Sequence, residues 1–311
     1  MNRRVAVTGT TGFIGWHVCE RLRDSGWTVV AIVRPGSQKP TPAGTERVEA
    51  RLDASSLGRA FEDADVVVHV AGITRARSAD EYRIVNVEGT RAVAEACSGR
   101  RLVHISSLTA GGPASAERPR CETDPPSPVT DYGRSKLEGE TIVGESAYPR
   151  WTILRPAAVY GPRDRQFLPL FQLARRGVLL RLPNAASFAL NLVHVREVAR
   201  AVELALGSES SVRQTLSIAD PKPVTMDDIL AALAATFGRA CRPLSVPMVL
   251  LRAGAALGIA GLTRERVAEL TSPGFVCDVG RAQECLGFRA AITVAEGFRA
   301  TAEWYRTNEW L

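Results

Sequence analysis

Three groups of residues in this 311-residue sequence have types and spacing that can do chemistry. The first is Tyr132 and Lys136, in the run Asp131-Tyr132-Gly133-Arg134-Ser135-Lys136. On a helix, positions four apart share one face. A lysine ammonium there lowers a phenol's pKa by its charge and can hydrogen-bond a ribose. The phenol can then exchange a proton with a carbonyl or alcohol oxygen. Only Lys39, Lys136 and Lys222 among the 39 basic residues are lysines. A lysine at 136 in so arginine-rich a chain points to a role that arginine's geometry and fixed charge do not fill. The second group is Ser107, which follows the strand-like run Arg101 to Ser106. A hydroxyl at the carboxyl end of a strand can hold a reacting oxygen.

The third group is Thr8-Gly9-Thr10-Thr11-Gly12-Phe13-Ile14-Gly15. Its glycines have the spacing G-x-x-G-x-x-G, after a strand-like run and at the start of a helical one. Gly9 permits the tight turn, Gly12 lets backbone N–H groups approach a pyrophosphate, and Gly15 lets helix and strand pack closely. Thr11, Phe13 and Ile14 are assigned to the cofactor with them. After the second strand, where an acid usually meets a ribose 2′-hydroxyl, stands Arg34. An arginine suits a 2′-phosphate, so the expectation is NADP(H) in preference to NAD(H). Asp53, after the third strand, can accept from an adenine amino group or cap a loop.

These groups need a scaffold. Arg4 to Val7, Thr28 to Val33, Arg47 to Leu52, Ala64 to Val70, Arg101 to Ser106 and Trp151 to Leu154 read as strands. Phe13 to Ser25, Ala79 to Cys97 and Thr130 to Glu145 read as helices between them, the last with Thr130 or Asp131 near its N-cap. The alternation predicts an α/β fold with a doubly wound parallel sheet. Further on, Gln166 to Arg176, Val195 to Leu206, Thr225 to Phe237 and Glu296 to Arg306 read as helices, and Thr215 to Ala219 as a strand. Residues 166–311 are expected to supply mainly a smaller substrate-binding cap, interleaved with a core of residues 1–165 whose sheet is completed from 190–220.

A hydrophobic fraction of 45% and a charged fraction of 23% exclude a disordered or low-complexity chain. The net charge of +6 comes from scattered arginines without a basic stripe, so no nucleic-acid partner is expected. The four histidines lack metal-ligand spacing. Six cysteines without a C-x-x-C pair, and no visible signal peptide, suggest free thiols in a reducing cytoplasm. The apolar run Val246 to Leu262 is too short and too interrupted to span a membrane, so no stable insertion is expected. It reads as a buried or cap helix, with a lipophilic-substrate wall or a membrane-surface helix as the other options.

The segments TGTTGFIG (Thr8 to Gly15), HVAG (His69 to Gly72), NVEGT (Asn86 to Thr90), ISS (Ile105 to Ser107), YGRSK (Tyr132 to Lys136) and LRPAAVYGP (Leu154 to Pro162) occur in this order. Together the chain resembles the extended short-chain dehydrogenase/reductase superfamily, in its NAD-dependent epimerase/dehydratase branch. The resemblance implies a Rossmann domain, with Tyr132 as acid/base, Lys136 as its activator and Ser107 as oxyanion partner. It also implies that Val70, Ala71 and Gly72 line the cofactor, that Pro156 to Val159 flank the nicotinamide, and that Asn86 supports the site. A homodimer through the helices of Ala79 to Cys97 and Thr130 to Glu145 would use Val93, Leu137 and Ile142.

Two departures bear on the substrate. Sugar-nucleotide epimerases usually have asparagine where this chain has Ala158, and an arginine where it has Leu190-Asn191. The chain instead resembles steroid dehydrogenase-like and dihydroflavonol reductase-like members, and Phe167, Leu168 and Phe171 would suit an apolar pocket. The expected activity is NAD(P)-dependent hydride transfer to or from a ketone or secondary alcohol of a small apolar molecule. A sugar-nucleotide epimerase or dehydratase with tightly held NAD is the alternative, with Arg163 and Arg165 gripping phosphates. A non-catalytic nucleotide-binding module ranks third.

Overall fold

The computed structural model describes residues 3–147, 150–182, 185–239, 241–257 and 263–311. The first half alternates strand and helix: β1 (Arg4–Thr8), α1 (Phe13–Asp24), β2 (Thr28–Val33), β3 (Glu46–Glu49), α2 (Ala54–Ala60) and β4 (Val66–His69). Then come α3 (Ala79–Tyr82), a π-helical stretch Arg83–Glu88, α4 (Gly89–Ala96), β5 (Arg101–Ile105), α5 (Leu108–Gly111), α6 (Asp131–Gly144), β6 (Trp151–Pro156) and β7 (Ala158–Tyr160). The second half adds α7 (Leu168–Arg175), β8 (Val178–Arg181), β9 (Ala189–Leu190), β10 (Leu192–His194), α8 (Val195–Gly207), β11 (Gln214–Ile218), β12 (Val224–Thr225) and α9 (Met226–Phe237). It ends with β13 (Arg242–Ser245), α10 (Met248–Ala256), α11 (Arg264–Thr271), β14 (Gly274–Phe275), α12 (Gly280–Leu286) and α13 (Val294–Thr307).

Seven parallel strands form the central sheet in the order β11-β6-β5-β4-β1-β2-β3. The expected doubly wound α/β fold is therefore what the chain forms. Its inner strands are rich in β-branched residues and buried because helices cover both faces, whereas the edge strand β3 is mostly exposed. On one face Val5, Val7, Val68 and Leu154 pack with Val18 and Leu22 of α1 and Val198 and Val202 of α8. On the other Ala6, Val30, Val67 and Ile153 pack with Leu57, Val93 and Val143. The winding direction reverses between β1 and β4, and such a switch point opens a crevice beyond the carboxyl ends of the strands.

A third core lies in the C-terminal part, where Tyr160, Phe171, Phe298 and Tyr305 pack ring to ring between α7, α9 and α13. Capping boxes start two of these helices, Thr225 with Asp228 and Thr293 with Glu296. Phe171 is fully buried here, so it belongs to this core and lines no pocket; Phe167 and Leu168 are half-buried beside it. Val93 likewise sits in the sheet core and presents nothing to a second copy. The expected helix of Ala79 to Cys97 holds its span, but its middle widens into the π-helical stretch around Asn86.

The sheet also buries two histidines side by side, His69 on β4 and His104 on β5, with ring centroids 5.1 Å apart. Burial and the neighbouring Lys136 charge push both below the usual histidine range, His69 to about 3. A histidine whose folded pKa is depressed binds a proton more readily in the unfolded chain. Stability is therefore lost as pH falls below the unfolded value near 6.5, by about 1.4 kcal/mol per pH unit for each such group. Neither ring nitrogen of His104 has a partner among the described residues. His104→Leu is expected to fold and to flatten this acid slope, as read by urea unfolding between neutral pH and about pH 5. An unchanged slope would contradict the assignment.

Candidate active site

The crevice at the switch point is built first by the glycine loop between β1 and α1. Gly9 has φ +74°, and a Cβ on it would lie 2.6 Å from the Ala71 backbone nitrogen. A Cβ on Gly15 would lie 2.2 Å from the Gly9 carbonyl oxygen. Side chains at either position would drive apart the loop, α1 and the segment after β4. Gly12 is the N-cap of α1 and offers no capping side chain, and its own N–H donates to the Gly9 carbonyl at 3.0 Å. The first-turn N–H groups of Phe13, Ile14 and Gly15 have no intrahelical acceptor and remain for an anion. The loop thus fits a pyrophosphate, through α1's first turn more than through Gly12 itself. Thr10 is fully buried and anchors the loop to the Ile32 carbonyl, while Thr11 is half-buried.

Ala71 and Gly72 follow β4 and close the crevice on that side. The Ala71 N–H donates to the Thr8 hydroxyl, which also meets His69 Nδ1. Asn86 holds the next turn through both ends of its amide: Oδ1 accepts from the Ile73 N–H at 2.8 Å, and Nδ2 donates to the Ile73 carbonyl and to the Ser135 hydroxyl. The π-helical widening brings this buried amide between the turn and α6, and such widenings recur where a side chain must be re-aimed. A Cβ on Gly72 would stand 3.9 Å from Lys136 Nζ, so the loop segment and α6 meet there.

Helix α6 starts at Thr130, whose hydroxyl accepts from the Gly133 N–H at 3.0 Å. Of the two expected N-caps, Thr130 is the one used. This start sets Tyr132, Lys136 and Glu140 on one face at i, i+4 and i+8. Lys136 is buried and donates to the Ile105 carbonyl at 2.8 Å. Burial lowers it to about 8, with Glu140 pulling the other way. The Tyr132 phenol lies near the Ser107 hydroxyl, which itself accepts from Thr109 at 2.8 Å. Burial pushes the Tyr132 phenol up to about 12, against the lowering effect of the nearby Ser107 hydroxyl. The expected lowering by Lys136 is thus not what the fold produces: burial dominates, and Tyr82 and Glu269 add to it. The Tyr82 ring lies 6.0 Å from that of Tyr132.

Beneath the pair lies a buried ion pair that sequence reading did not single out. Arg155 Nε and Nη2 donate to the two Glu140 oxygens at 2.9 and 2.6 Å, and the Ser106 hydroxyl also donates to Glu140. Glu140 continues the Y-x-x-x-K spacing by one more turn, so the signal was available in the four-residue period. Pro156 ends β6 beside the Ser106-Ser107 segment, and Val159 pairs with Val193. At the far edge, Arg34 is exposed after β2, and its guanidinium has no partner among the described residues. Asp53 Oδ1 accepts from the Ser56 N–H at 2.8 Å and caps α2. Asn191 is fully buried, its amide spent on the Asp220 carbonyl and the Cys277 N–H. Helix α11 reaches the start of α6, where Glu265 accepts from the Asp131 N–H at 2.5 Å.

A family model described as the NAD dependent epimerase/dehydratase family matches residues 5–219. The chain is 30% identical to a ceramide reductase of Caulobacter vibrioides, over 99% of this chain and 96% of that protein. It is 27% identical to the 4-hydroxy-2-methyl-3-oxo-4-farnesyl-3,4-dihydroquinoline-1-oxide ketoreductase of Stigmatella aurantiaca, over 96% of this chain and 95% of that protein. Among solved structures, MoeE5 in complex with UDP-glucose and NAD matches with a TM-score of 0.79 at 27% identity, over 98% of this chain and 99% of that one. The family match begins inside β1 and ends just past β11, so it takes in the whole sheet and its crevice: the chain belongs to the NAD-dependent epimerase/dehydratase family.

Proposed function

We propose that the protein is a nicotinamide-dependent oxidoreductase acting on a ketone or secondary alcohol of a small apolar molecule. The observation that carries this reading is the Tyr132–Ser107 pair at the carboxyl edge of the sheet. A phenol up at about 12 is a neutral acid at ordinary pH, set beside a second hydroxyl. The nicotinamide, when bound, supplies or takes up the hydride. Tyr132 gives its proton to the substrate carbonyl oxygen in reduction and recovers it in oxidation. Ser107 donates a hydrogen bond to the same oxygen as charge develops there. Lys136 holds the ribose, and Ala71, Gly72, Pro156 and Val159 border the nicotinamide half. Gly9, Thr11, Gly12, Phe13 and Ile14 hold the pyrophosphate, and Asp53 lies at the adenine end. Residues 166–311 mainly supply the cap over the substrate.

The apolar substrate class draws support from the two relatives named as reductases, one of ceramide and one of a farnesyl-bearing ketone. The likeness to MoeE5 with UDP-glucose and NAD favours a second reading, sugar-nucleotide epimerisation. Against it, Ala158 offers only a methyl group, and the Asn191 amide is spent inside the fold. The test is turnover of long-chain ketones with NADPH, with one NADPH consumed per alcohol formed. Tightly co-purifying NAD together with UDP-glucose epimerisation, without net cofactor consumption, would overturn the reading. We further infer that Arg34 selects NADP(H). Arg34→Ala is then expected to weaken NADPH about tenfold to a hundredfold, the worth of a charge-assisted hydrogen bond, and to leave NADH nearly unchanged. Equal weakening of both nucleotides, measured by fluorescence titration, would remove that role.

A further inference from the structure

The apolar segment after β13 lines no core. Helix α10 has no buried residue, although Arg252 is its only polar side chain. Val249 and Leu250, with Leu257 just beyond its end, are 75%, 61% and 75% exposed. With Ala253 and Ala256, also exposed, they fall at i, i+1, i+4, i+7 and i+8, a single face of the helix. The opposite face, Met248, Leu251, Gly254 and Ala255, is half-buried, and α10 packs on α11. Just before it in the chain, Leu244 on β13 stands in register with Leu180 on β8, both exposed. A buried-or-cap helix was one expectation for Val246 to Leu262; the described part of it turns apolar side chains outward, and residues 258–262 lie outside the described residues.

The segment that carries this ridge is basic. Residues 238–264 include Arg239, Arg242, Arg252 and Arg264 and no acidic residue. Arg175 and Arg176 adjoin them, since Arg239 donates to the Arg175 carbonyl and the Arg242 N–H to the Gly177 carbonyl. Arg175, Arg176, Arg239, Arg242 and Arg252 are exposed and form no ion pair among the described residues; the acids nearest the ridge are Glu265 and Glu269 on α11 and Asp227, which pairs with Arg181 beside β13. A helix apolar on both faces is buried or meets a membrane. An apolar ridge whose own segment carries exposed arginines and no acid matches a surface that is both apolar and anionic.

We propose that this face of the cap docks on an anionic lipid bilayer, with the ridge in the acyl boundary and the arginines at the headgroup phosphates. Among the described residues no helix is long and apolar enough to cross a membrane, so the contact is peripheral. Helix α11 links the face to the N-terminus of α6, so docking holds the site near the phase in which apolar ketones dissolve. The proposal does not depend on the reaction, because its probe is lipid alone. Sedimentation with vesicles of phosphatidylcholine, with and without phosphatidylglycerol, tests it. Binding is expected only to the anionic vesicles and is expected to weaken with salt. Val249→Asp with Leu250→Asp should lower it at least about tenfold. Arg242→Glu with Arg252→Glu, at exposed positions that do not threaten folding, should lower it about tenfold or more. No sedimentation with either vesicle, or equal sedimentation with both, would overturn the proposal. So would a dimer in solution that Val249→Asp with Leu250→Asp dissociates, since the face would then belong to a second copy.

Discussion

Tyr132→Phe is expected to lower kcat by about a hundredfold to ten-thousandfold, with nucleotide affinity nearly unchanged. The substitution removes one oxygen. The ring stays in place beside Tyr82, and the helix that carries it keeps its Thr130 cap. What is lost is the proton donor. Ser107 can still hydrogen-bond the reacting oxygen, but its hydroxyl is a far weaker acid. Lys136 cannot substitute, because its ammonium is tied to the Ile105 carbonyl. Single-turnover rates with saturating ketone and NADPH read the chemical step directly. A Tyr132→Phe protein that keeps full turnover would remove the mechanism. Weak nucleotide binding in the same variant would instead show that the phenol serves the cofactor.

The second large effect concerns the pair beneath the site. Arg155→Met should destabilise the protein by about 3–5 kcal/mol, because it strands a buried carboxylate. Glu140 and Arg155 are 7% and 8% exposed, so solvent cannot take over for a missing partner. The double variant Glu140→Met with Arg155→Met should cost less than the single one, since both desolvation penalties then vanish together. Urea unfolding of the three proteins checks the order. A double variant worse than the single one would mean that packing, through Gly111 and the Ser106 bond, outweighs the charge. The pair also bears on chemistry. Glu140 raises the Lys136 ammonium against the burial that lowers it. Its loss should therefore move Lys136 still lower.

The first strands and helices of the sheet were legible in the sequence because their signal is local. Buried runs such as Val66–His69 and the glycine spacing from Gly9 to Gly15 report backbone needs that neighbours in the chain express. The short strands β7 to β10 and β12 to β14 were not legible. Each has two to four residues and is made by a distant partner, as β9 is by β12 and β14. Phe171 read as a pocket residue because an apolar helix face looks the same whether it meets a ligand or another core.

By itself the sequence determined the glycine loop from Gly9 to Gly15, the four-residue spacing of Tyr132 and Lys136, and the placing of Ser107 after a strand. A turn, a helix and a strand end dictate these over a few residues. Only the tertiary structure decided what surrounds them. It set Lys136 on the Ile105 carbonyl, locked Glu140 onto Arg155 and Ser106, and brought Glu265 of α11 to the start of α6. It also made burial, not the lysine charge, the larger influence on the Tyr132 phenol. Such outcomes depend on desolvation and on contacts between residues far apart in the chain, which no local pattern records.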